Sequence, residues 1–252
     1  MRNTQLLIGI VIAVLIAVVL SIAGPLRVAW HRMAADQGFA RAQYTLGTMY
    51  ALGLGATQDY AEAVNWFRKA ADQGYAKAQS DLGIAYMQGN GVAQDYAEAT
   101  KWCGKAADQG DAGGQNNLGY MYEHGLGVAQ DYAEALKWYR KAADQGWRLA
   151  EYNLGAMYVR GQGAKQDYAE AVNWFRKAAD QGVARAQYNL GVMYAHGLGV
   201  AQDKAFAFMW LNLASAQGLE VARSARDQLA ASMTPDQTAE AQRLAREWKP
   251  TR

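Results

Sequence analysis

The chain repeats itself every 36 residues, and this period restricts its fold more than any other feature. Tryptophan marks the period, at Trp30, Trp66, Trp102, Trp138, Trp174 and Trp210. A fixed period of this length is typical of solenoids, in which each unit buries its apolar face against its neighbours. The period divides the chain into a half-unit, residues 28–38, and five full units, residues 39–74, 75–110, 111–146, 147–182 and 183–218.

Each unit has the pattern of two amphipathic helices. The first helix of the first unit, residues 40–52, carries its apolar side chains at helical spacing. We expect Gly53 to end it in the left-handed conformation. We expect Asp59 to cap the start of the second helix, with Glu62 three residues further on. No proline interrupts residues 26–234, so the sequence predicts an all-α fold.

A glycine stands inside the first helix of every full unit, at Gly47, Gly83, Gly119, Gly155 and Gly191. Glycine within a helix costs about 1 kcal/mol relative to alanine. Its return in every unit predicts that a facing helix passes too close to leave room for a Cβ atom.

The two ends of the array differ from its middle. Residues 28–38 align with the second helix of a unit and lack a first helix. The second helix of the fifth unit is more apolar than its equivalents, with Phe206, Met209 and Leu213. We therefore expect further helices within residues 219–252 to cover it. The last of them should begin at Thr234 as N-cap, with Pro235 at the first helical position.

The unit AxAQxxLGxMYxxGxGxxQDYAEAxxWxRKAADQG resembles the Sel1-like repeat, which is related to the tetratricopeptide repeat. The resemblance covers about residues 28–218. It implies a right-handed superhelical α/α solenoid that works as an adaptor or scaffold for protein complexes, often in bacterial envelopes. A cysteine-rich branch of the family is linked to penicillin binding and β-lactamase activity, and clips each unit with a disulfide. An envelope hydrolase is therefore the alternative, although this chain has only Cys103.

A long apolar segment precedes the repeats. After a short tail, residues 1–5, residues 6–23 contain no charge, and a helix of this length spans roughly 27 Å. We predict a transmembrane helix or signal anchor over residues 6–26. The alternative is a secretory signal cleaved after Ala23, since small residues stand where a signal peptidase acts.

The orientation of this segment is open on sequence alone. The count of Lys and Arg on its two sides favours cytoplasmic repeats. A short tail with one Arg before a signal-like core is, however, typical of export. We expect repeats on the periplasmic or extracytoplasmic side, and a secreted protein if the segment is cleaved.

The residues offer little chemistry. Cys103 occupies a core position of the second helix, so we expect a buried thiol. His124 and His196 stand two units apart, which does not favour joint metal binding. The net charge of +2 does not favour nucleic acid as a partner. We therefore predict no catalytic residue, metal or cofactor, and no enzymatic activity.

The first helices vary between units at five positions, which in tetratricopeptide-like solenoids line a concave groove. Tyr, Arg and His at such positions are typical of protein interfaces, although the positions could also be merely tolerant surface. The predicted partner-binding residues are Arg41, Tyr44, Lys77, Asn116, Tyr120, His124, Tyr152, Arg160, Arg185, Tyr188 and His196. We expect Tyr152, Tyr188 and Arg185 to lie beside His196. The sequence thus favours a membrane-tethered scaffold that binds a protein or peptide.

Overall fold

In the computed structural model, which describes residues 24 and 26–251, every regular element is an α-helix. Within this part of the chain there are thirteen helices and no strand, so the all-α prediction is confirmed. They are α1 (26–36), α2 (Ala40–Leu52), α3 (Tyr60–Asp72), α4 (Ala76–Gln88), α5 (Tyr96–Asp108), α6 (Ala112–His124), α7 (Tyr132–Ala143), α8 (Arg148–Arg160), α9 (Tyr168–Asp180), α10 (Ala184–His196), α11 (Lys204–Ala216), α12 (Glu220–Ala230) and α13 (Pro235–Glu247).

The loop between the two helices of each repeat is fixed by residues at its start and at its end. Gly53 ends α2 in the left-handed conformation, with φ of 67°, as predicted. The Asp59 carboxylate accepts a hydrogen bond from the Glu62 N–H at 3.0 Å and so caps α3. The Gln58 amide donates to the Ala51 carbonyl at 2.8 Å, which satisfies an orphan acceptor at the end of α2. Equivalent bonds are made by Gln94, Gln130, Gln166 and Gln202.

The chain forms two compact units, and helices that follow one another in sequence pack together in each of them. The first unit contains the described residues up to 117 together with 126–128, and in it α2, α3, α4 and α5 pack in chain order. The second contains residues 118–125 and 129–251, with the same order from α7 to α11. This local contact pattern is that of an all-α solenoid. The handedness of the superhelix stays a prediction.

The internal glycines are contact points between the two helices of a repeat. A Cβ atom on Gly155 would lie 2.6 Å from Cδ1 of Phe175, and one on Gly119 would lie 2.9 Å from Cδ1 of Tyr139. Both glycines are buried. The predicted reason for this glycine position is therefore confirmed: the facing side chain of the second helix occupies the space of the missing Cβ.

Buried glutamine side chains form a series of hydrogen bonds, called here the glutamine ladder, that links helices of successive repeats. The buried Gln43 amide donates to the Ala35 carbonyl at 3.1 Å, and its own oxygen accepts from Gln73 at 2.7 Å. The same two bonds recur at Gln79 with Gln109 and at Gln187 with Gln217. These glutamines are thus hydrogen-bonded groups of the interior, which explains why glutamine returns in four of the five full units.

Glu151 stands in the glutamine ladder where the other repeats have glutamine. It is buried, and its carboxylate accepts from the Gln181 amide at 2.8 Å. Burial raises the pKa of Glu151, because it disfavours the charged form.

The C-terminal helices cover α11 as the sequence predicts. Both α12 and α13 pack against α11. Thr234 and Gln237 form a capping box at the start of α13, and Pro235 occupies its first turn. The Trp248 ring meets Trp210 edge-on, with 6.0 Å between ring centroids. The apolar residues of α11 are therefore explained by a cap on the last repeat.

At the N-terminal end, α1 is the predicted half-unit. Trp30 is 66% exposed, whereas the equivalent Trp66 is 6% exposed. The predicted membrane segment, residues 6–26, lies outside the described residues except for Gly24 and Leu26, and the tail, residues 1–5, lies wholly outside them. Across the described part of the chain, no helix has the length and apolarity that a bilayer crossing requires.

We expect Gly155→Ala to lower the free energy of unfolding by roughly 1 kcal/mol, because overpacking against Phe175 exceeds the gain in helix propensity. The matched control is Gly104→Ala, since a Cβ on Gly104, also within a helix, would meet nothing within 4 Å. This control should raise the free energy of unfolding by up to about 1 kcal/mol. Urea unfolding followed by circular dichroism measures both. Equal stabilisation by the two alanines would contradict the packing role of Gly155.

Candidate partner-binding pockets

An open cavity of about 280 Å³ lies in the first compact unit, where α2, α3 and α4 meet. Its position follows from the repeat: one wall is the first helix of a unit, another is the second helix, and the third is the first helix of the next unit. We call it the Asp81 pocket. Its main lining residues are Ala51, Leu52, Tyr60, Phe67, Asp81 and Ile84.

A second open cavity, of about 340 Å³, lies in the second compact unit among α8, α9 and α10. We call it the Asn189 pocket. Nine of its lining positions are three repeats, or 108 residues, from lining positions of the Asp81 pocket. These pairs are Thr48 and Ala156, Ala51 and Val159, Leu52 and Arg160, Tyr60 and Tyr168, Phe67 and Phe175, Asp81 and Asn189, Ile84 and Val192, Ala85 and Met193, and Asn90 and Leu198. The same place in the repeat thus forms a pocket in both units.

The two pockets share their apolar walls and differ in their polar groups. At the mouth, the first has Leu52, which is 62% exposed, and the second has Arg160. Deeper in, the first has the Asp81 carboxyl and the second has the Asn189 amide. The pockets are therefore suited to different side chains of a partner.

Arg160 is held in place by a neighbouring repeat. Its guanidinium donates to Oε1 of Glu123 at 2.5 Å, and Oε2 of Glu123 accepts from the Tyr139 hydroxyl at 2.8 Å. Burial and the Glu123 charge raise the pKa of Tyr139, so this hydroxyl stays protonated and remains a donor. Much of the Arg160 charge is thus already neutralised within the molecule.

Asp81 lies in an apolar setting beside Ile84 and Phe67. Among the described residues, Asp81 takes part in none of the ion pairs. Burial raises the pKa of Asp81 to about 6, and a hydrogen bond with the Tyr44 hydroxyl together with the charge of Lys77 acts against this shift. The group is therefore a carboxylate at neutral pH, and one that the fold stabilises poorly.

Three of the predicted binding residues, Tyr152, Arg160 and Tyr188, meet in the Asn189 pocket. The prediction that Arg185 and His196 lie side by side next to these tyrosines is wrong. Arg185 lies in the first turn of α10 and His196 is its last residue. Eleven residues of helix separate them by roughly 16 Å along the axis, so they do not lie side by side.

Two further predicted residues are more buried than expected. Asn116 is 7% exposed, and its amide donates to Oδ1 of Asn117 at 3.3 Å, so its side chain belongs to the interior rather than to a binding surface. Tyr44 is partly buried because its ring packs against Phe67 and Tyr75, with centroids 5.8 and 5.2 Å apart.

The remaining predicted residues are exposed but line neither pocket. Arg41 and Lys77 lie in the first turns of α2 and α4, in the position that Arg185 has in α10. Tyr120 and His124 stack on one face of α6, with ring centroids 4.1 Å apart. None of these side chains is thus part of either pocket.

Cys103 belongs to the core. Its sulfur faces Gly83, and burial raises the pKa of the thiol to about 12. A thiol with this pKa stays protonated at neutral pH and is a poor nucleophile. Among the described residues, no group of three His, Cys, Asp or Glu side chains is arranged to hold a metal ion.

Asp81, Tyr60 and Asn189 are not among the residues that the sequence predicts to bind a partner. Asp81 could have been found by aligning the repeats with one another. It is a charged residue where the next three units have Asn117, Asn153 and Asn189. The exposure of Tyr60, at 44%, could not have been found in this way, because tyrosine also stands at this position in the next three units.

Residues 28–39, 40–75, 76–111, 112–147, 148–183 and 184–219 match the Sel1 repeat family. Among solved structures, a Sel1 repeat protein from Oxalobacter formigenes is 39% identical, with a TM-score of 0.73 over 80% of this chain and 58% of that chain. The protein c5321, a protective antigen of uropathogenic Escherichia coli with an SLR fold, is 31% identical, with a TM-score of 0.58 over 89% and 56%.

A Sel1 repeat protein from Klebsiella pneumoniae is 25% identical, with a TM-score of 0.56 over 81% of this chain and 99% of that chain. This chain spans less than two thirds of the Oxalobacter and Escherichia proteins. No curated protein gives a significant match.

We expect Asp81→Asn to stabilise the protein at neutral pH. Folding raises the pKa of Asp81 from 3.8 to about 6, so the folded state binds the proton more tightly than the unfolded state. The stability that the protonated group contributes is present below pH 4 and is lost as the pH rises through 6. Above pH 7 the cost is about 1–3 kcal/mol, which asparagine removes.

Thermal unfolding of both proteins between pH 4 and 8 measures this difference. The variant should have the higher midpoint at pH 7 and 8, and the gap should narrow at pH 4. A gap that does not change with pH would show that Asp81 is not the titrating group.

Proposed function

Because the chain belongs to the Sel1 repeat family, we propose that it is a protein-binding scaffold, and that the Asp81 pocket and the Asn189 pocket are each a site for a segment of a partner. The observation that carries this proposal is the recurrence of an open, apolar pocket at the same repeat position in both compact units. A pocket with apolar walls and a few polar groups is the usual form of a recognition site. Each compact unit therefore offers one such site to a partner.

The residues around the pockets are of the kinds that anchor interfaces. Tyr152 and Tyr188 line the Asn189 pocket, and Leu52 and Tyr60 stand exposed at the mouth of the Asp81 pocket. Tyrosine adds a large contact area at a small entropy cost, since it has two side-chain torsions. Such anchors supply most of the binding energy of an interface. The alternative of a cysteine-rich hydrolase receives no support from the one buried thiol, Cys103.

The proposal includes attachment to the membrane through residues 6–26, with the repeats on the extracytoplasmic side. Its support is the run of 18 uncharged residues, which matches the thickness of a bilayer. The similarity to c5321, a protective antigen, also favours this side of the membrane. The scaffold would then act close to the membrane, because few residues separate this run from α1.

We expect Tyr152→Ala with Tyr188→Ala to reduce capture of the partner at least tenfold, because two aromatic anchors are lost from one pocket. The measurement is crosslinking in native membranes, followed by mass spectrometry of the captured proteins. Tyr152 also packs on Phe175, with ring centroids 5.8 Å apart, so circular dichroism must show that the double variant is folded.

The control for this double variant is Trp147→Ala. Trp147 is 40% exposed and lines neither pocket, so its removal should leave capture unchanged. A folded double variant that captures the same proteins at the wild-type yield would disprove binding at the Asn189 pocket.

For the membrane segment, we expect the protein to stay in the membrane fraction after alkaline extraction. Its mass should include residues 1–23, and protease added to spheroplasts should digest the repeats. A mass equal to that of residues 24–252 would instead establish cleavage after Ala23 and secretion. Protection of the repeats from protease would place them in the cytoplasm.

A further inference from the structure

Asp81 departs from the pattern of its own chain. The next three units have asparagine at this position, and the first has Thr45. Both alternatives are uncharged and hydrogen-bonding. Only the second unit places an ionisable group at this point of the pocket wall, so the repeat itself does not require a carboxyl there.

The fold gives the Asp81 carboxylate little compensation for leaving water. It is partly buried beside apolar side chains, and none of the ion pairs of the described residues includes it. Its hydrogen bond with the Tyr44 hydroxyl supplies a neutral donor and no opposite charge. The nearby Lys77 is exposed on the first turn of α4, and the nearby Asp111 carries a charge of the same sign. Burial of the Asp81 carboxylate costs folding free energy, and the other repeats avoid this cost with an uncharged residue at the same position. A charged residue that lowers stability in this way is typical of a functional position.

We propose that the Asp81 pocket recognises a lysine or arginine side chain of the partner segment, with Asp81 as the counter-ion. This proposal rests on the proposed function, because it names what one of its two pockets binds. The apolar stem of the basic side chain would pack between Ile84 and Phe67, and its charged head would reach the carboxylate. Leu52 and Tyr60, exposed at the mouth, would cover the neighbouring part of the segment.

Charge complementarity selects this occupant over the other side chains. An acidic side chain would meet a like charge in a poorly solvated pocket, which is strongly unfavourable. An apolar side chain would bury the Asp81 carboxylate further without pairing it with an opposite charge. A basic side chain pairs with that carboxylate, and a hydrogen bond between charged groups is about twice as strong as one between neutral groups. The contrast within the molecule is the Asn189 pocket, which has a neutral amide and Arg160 and should not prefer a cation.

The test begins with peptides selected by the full chain. Random dodecapeptides displayed on phage are selected on the detergent-solubilised protein, and each selected peptide is measured by fluorescence polarisation. Pocket occupancy is established with Ala51→Trp, which fills the Asp81 pocket from the α2 wall and should abolish binding. Circular dichroism and the thermal midpoint show that this variant is folded.

The contribution of charge is then measured by neutralising the basic residue of the peptide and, separately, Asp81 of the protein. In peptides that bind this pocket, replacement of the basic residue by norleucine keeps the stem and removes the charge. We expect a loss of affinity of tenfold or more on the wild-type protein, and of less than twofold on Asp81→Asn. The variant itself should bind the basic peptide at least tenfold more weakly, although it is the more stable protein at neutral pH. Asn189→Asp is the matched control, and it should leave binding of these peptides unchanged.

Two other outcomes are distinguishable. Peptides that lose binding on Ala51→Trp, but keep their affinity when the basic residue or Asp81 is neutralised, would overturn the basic-residue assignment and leave the scaffold proposal in place. If no selected peptide depends on the pocket, both the assignment and the proposed role of the Asp81 pocket fail.

Discussion

The close approach of two helices at a single glycine is the contact on which each repeat depends. In the second compact unit, the ring of Phe175 occupies the space that a Cβ of Gly155 would fill. The glycine costs helix propensity, but it lets an aromatic ring and the facing backbone pack without a gap. The facing side chain differs between units, and it is Cys103 opposite Gly83 and Leu211 opposite Gly191. In every full unit, however, a Cβ on this glycine would lie closer than 3.0 Å to that side chain, so the close approach of the two helices recurs.

Hydrogen bonds at defined points keep this packing compatible with buried polar groups. The amide of Gln43 bridges to the carbonyl of Ala35 and the side chain of Gln73, and Asp59 caps α3. Since these groups are fixed by the repeat, the remaining side chains of the first helices are free to differ. The pockets lie where such variable positions of neighbouring helices meet, so the chain can change what it binds without changing how it folds.

Asp81 shows that one residue of a repeat protein can lower stability locally while the packing of the other repeats maintains the fold. At the equivalent position, Asn189 lies in a pocket of the same construction without a charge to desolvate. The carboxyl at residue 81 is less well accommodated, and burial raises its pKa to about 6. A scaffold with many near-identical repeats tolerates such a local cost, because the other units contribute their own packing.

The sequence alone determined the helices, their ends and the family, because these depend on local spacing: Gly53 ends α2, Asp59 caps α3, and Thr234 with Pro235 starts α13. It also explained the glycines, since only a close contact makes a repeated helical glycine favourable. Which variable side chains meet was decided by the tertiary structure. Tyr152 and Tyr188, which have the same variable position in neighbouring units, share a pocket as expected, whereas Arg185 and His196 lie at opposite ends of one helix. Variation between units marks a position as free to change, but burial and the neighbouring helix decide whether it faces the interior, as Asn116 does, or a pocket, as Asp81 does.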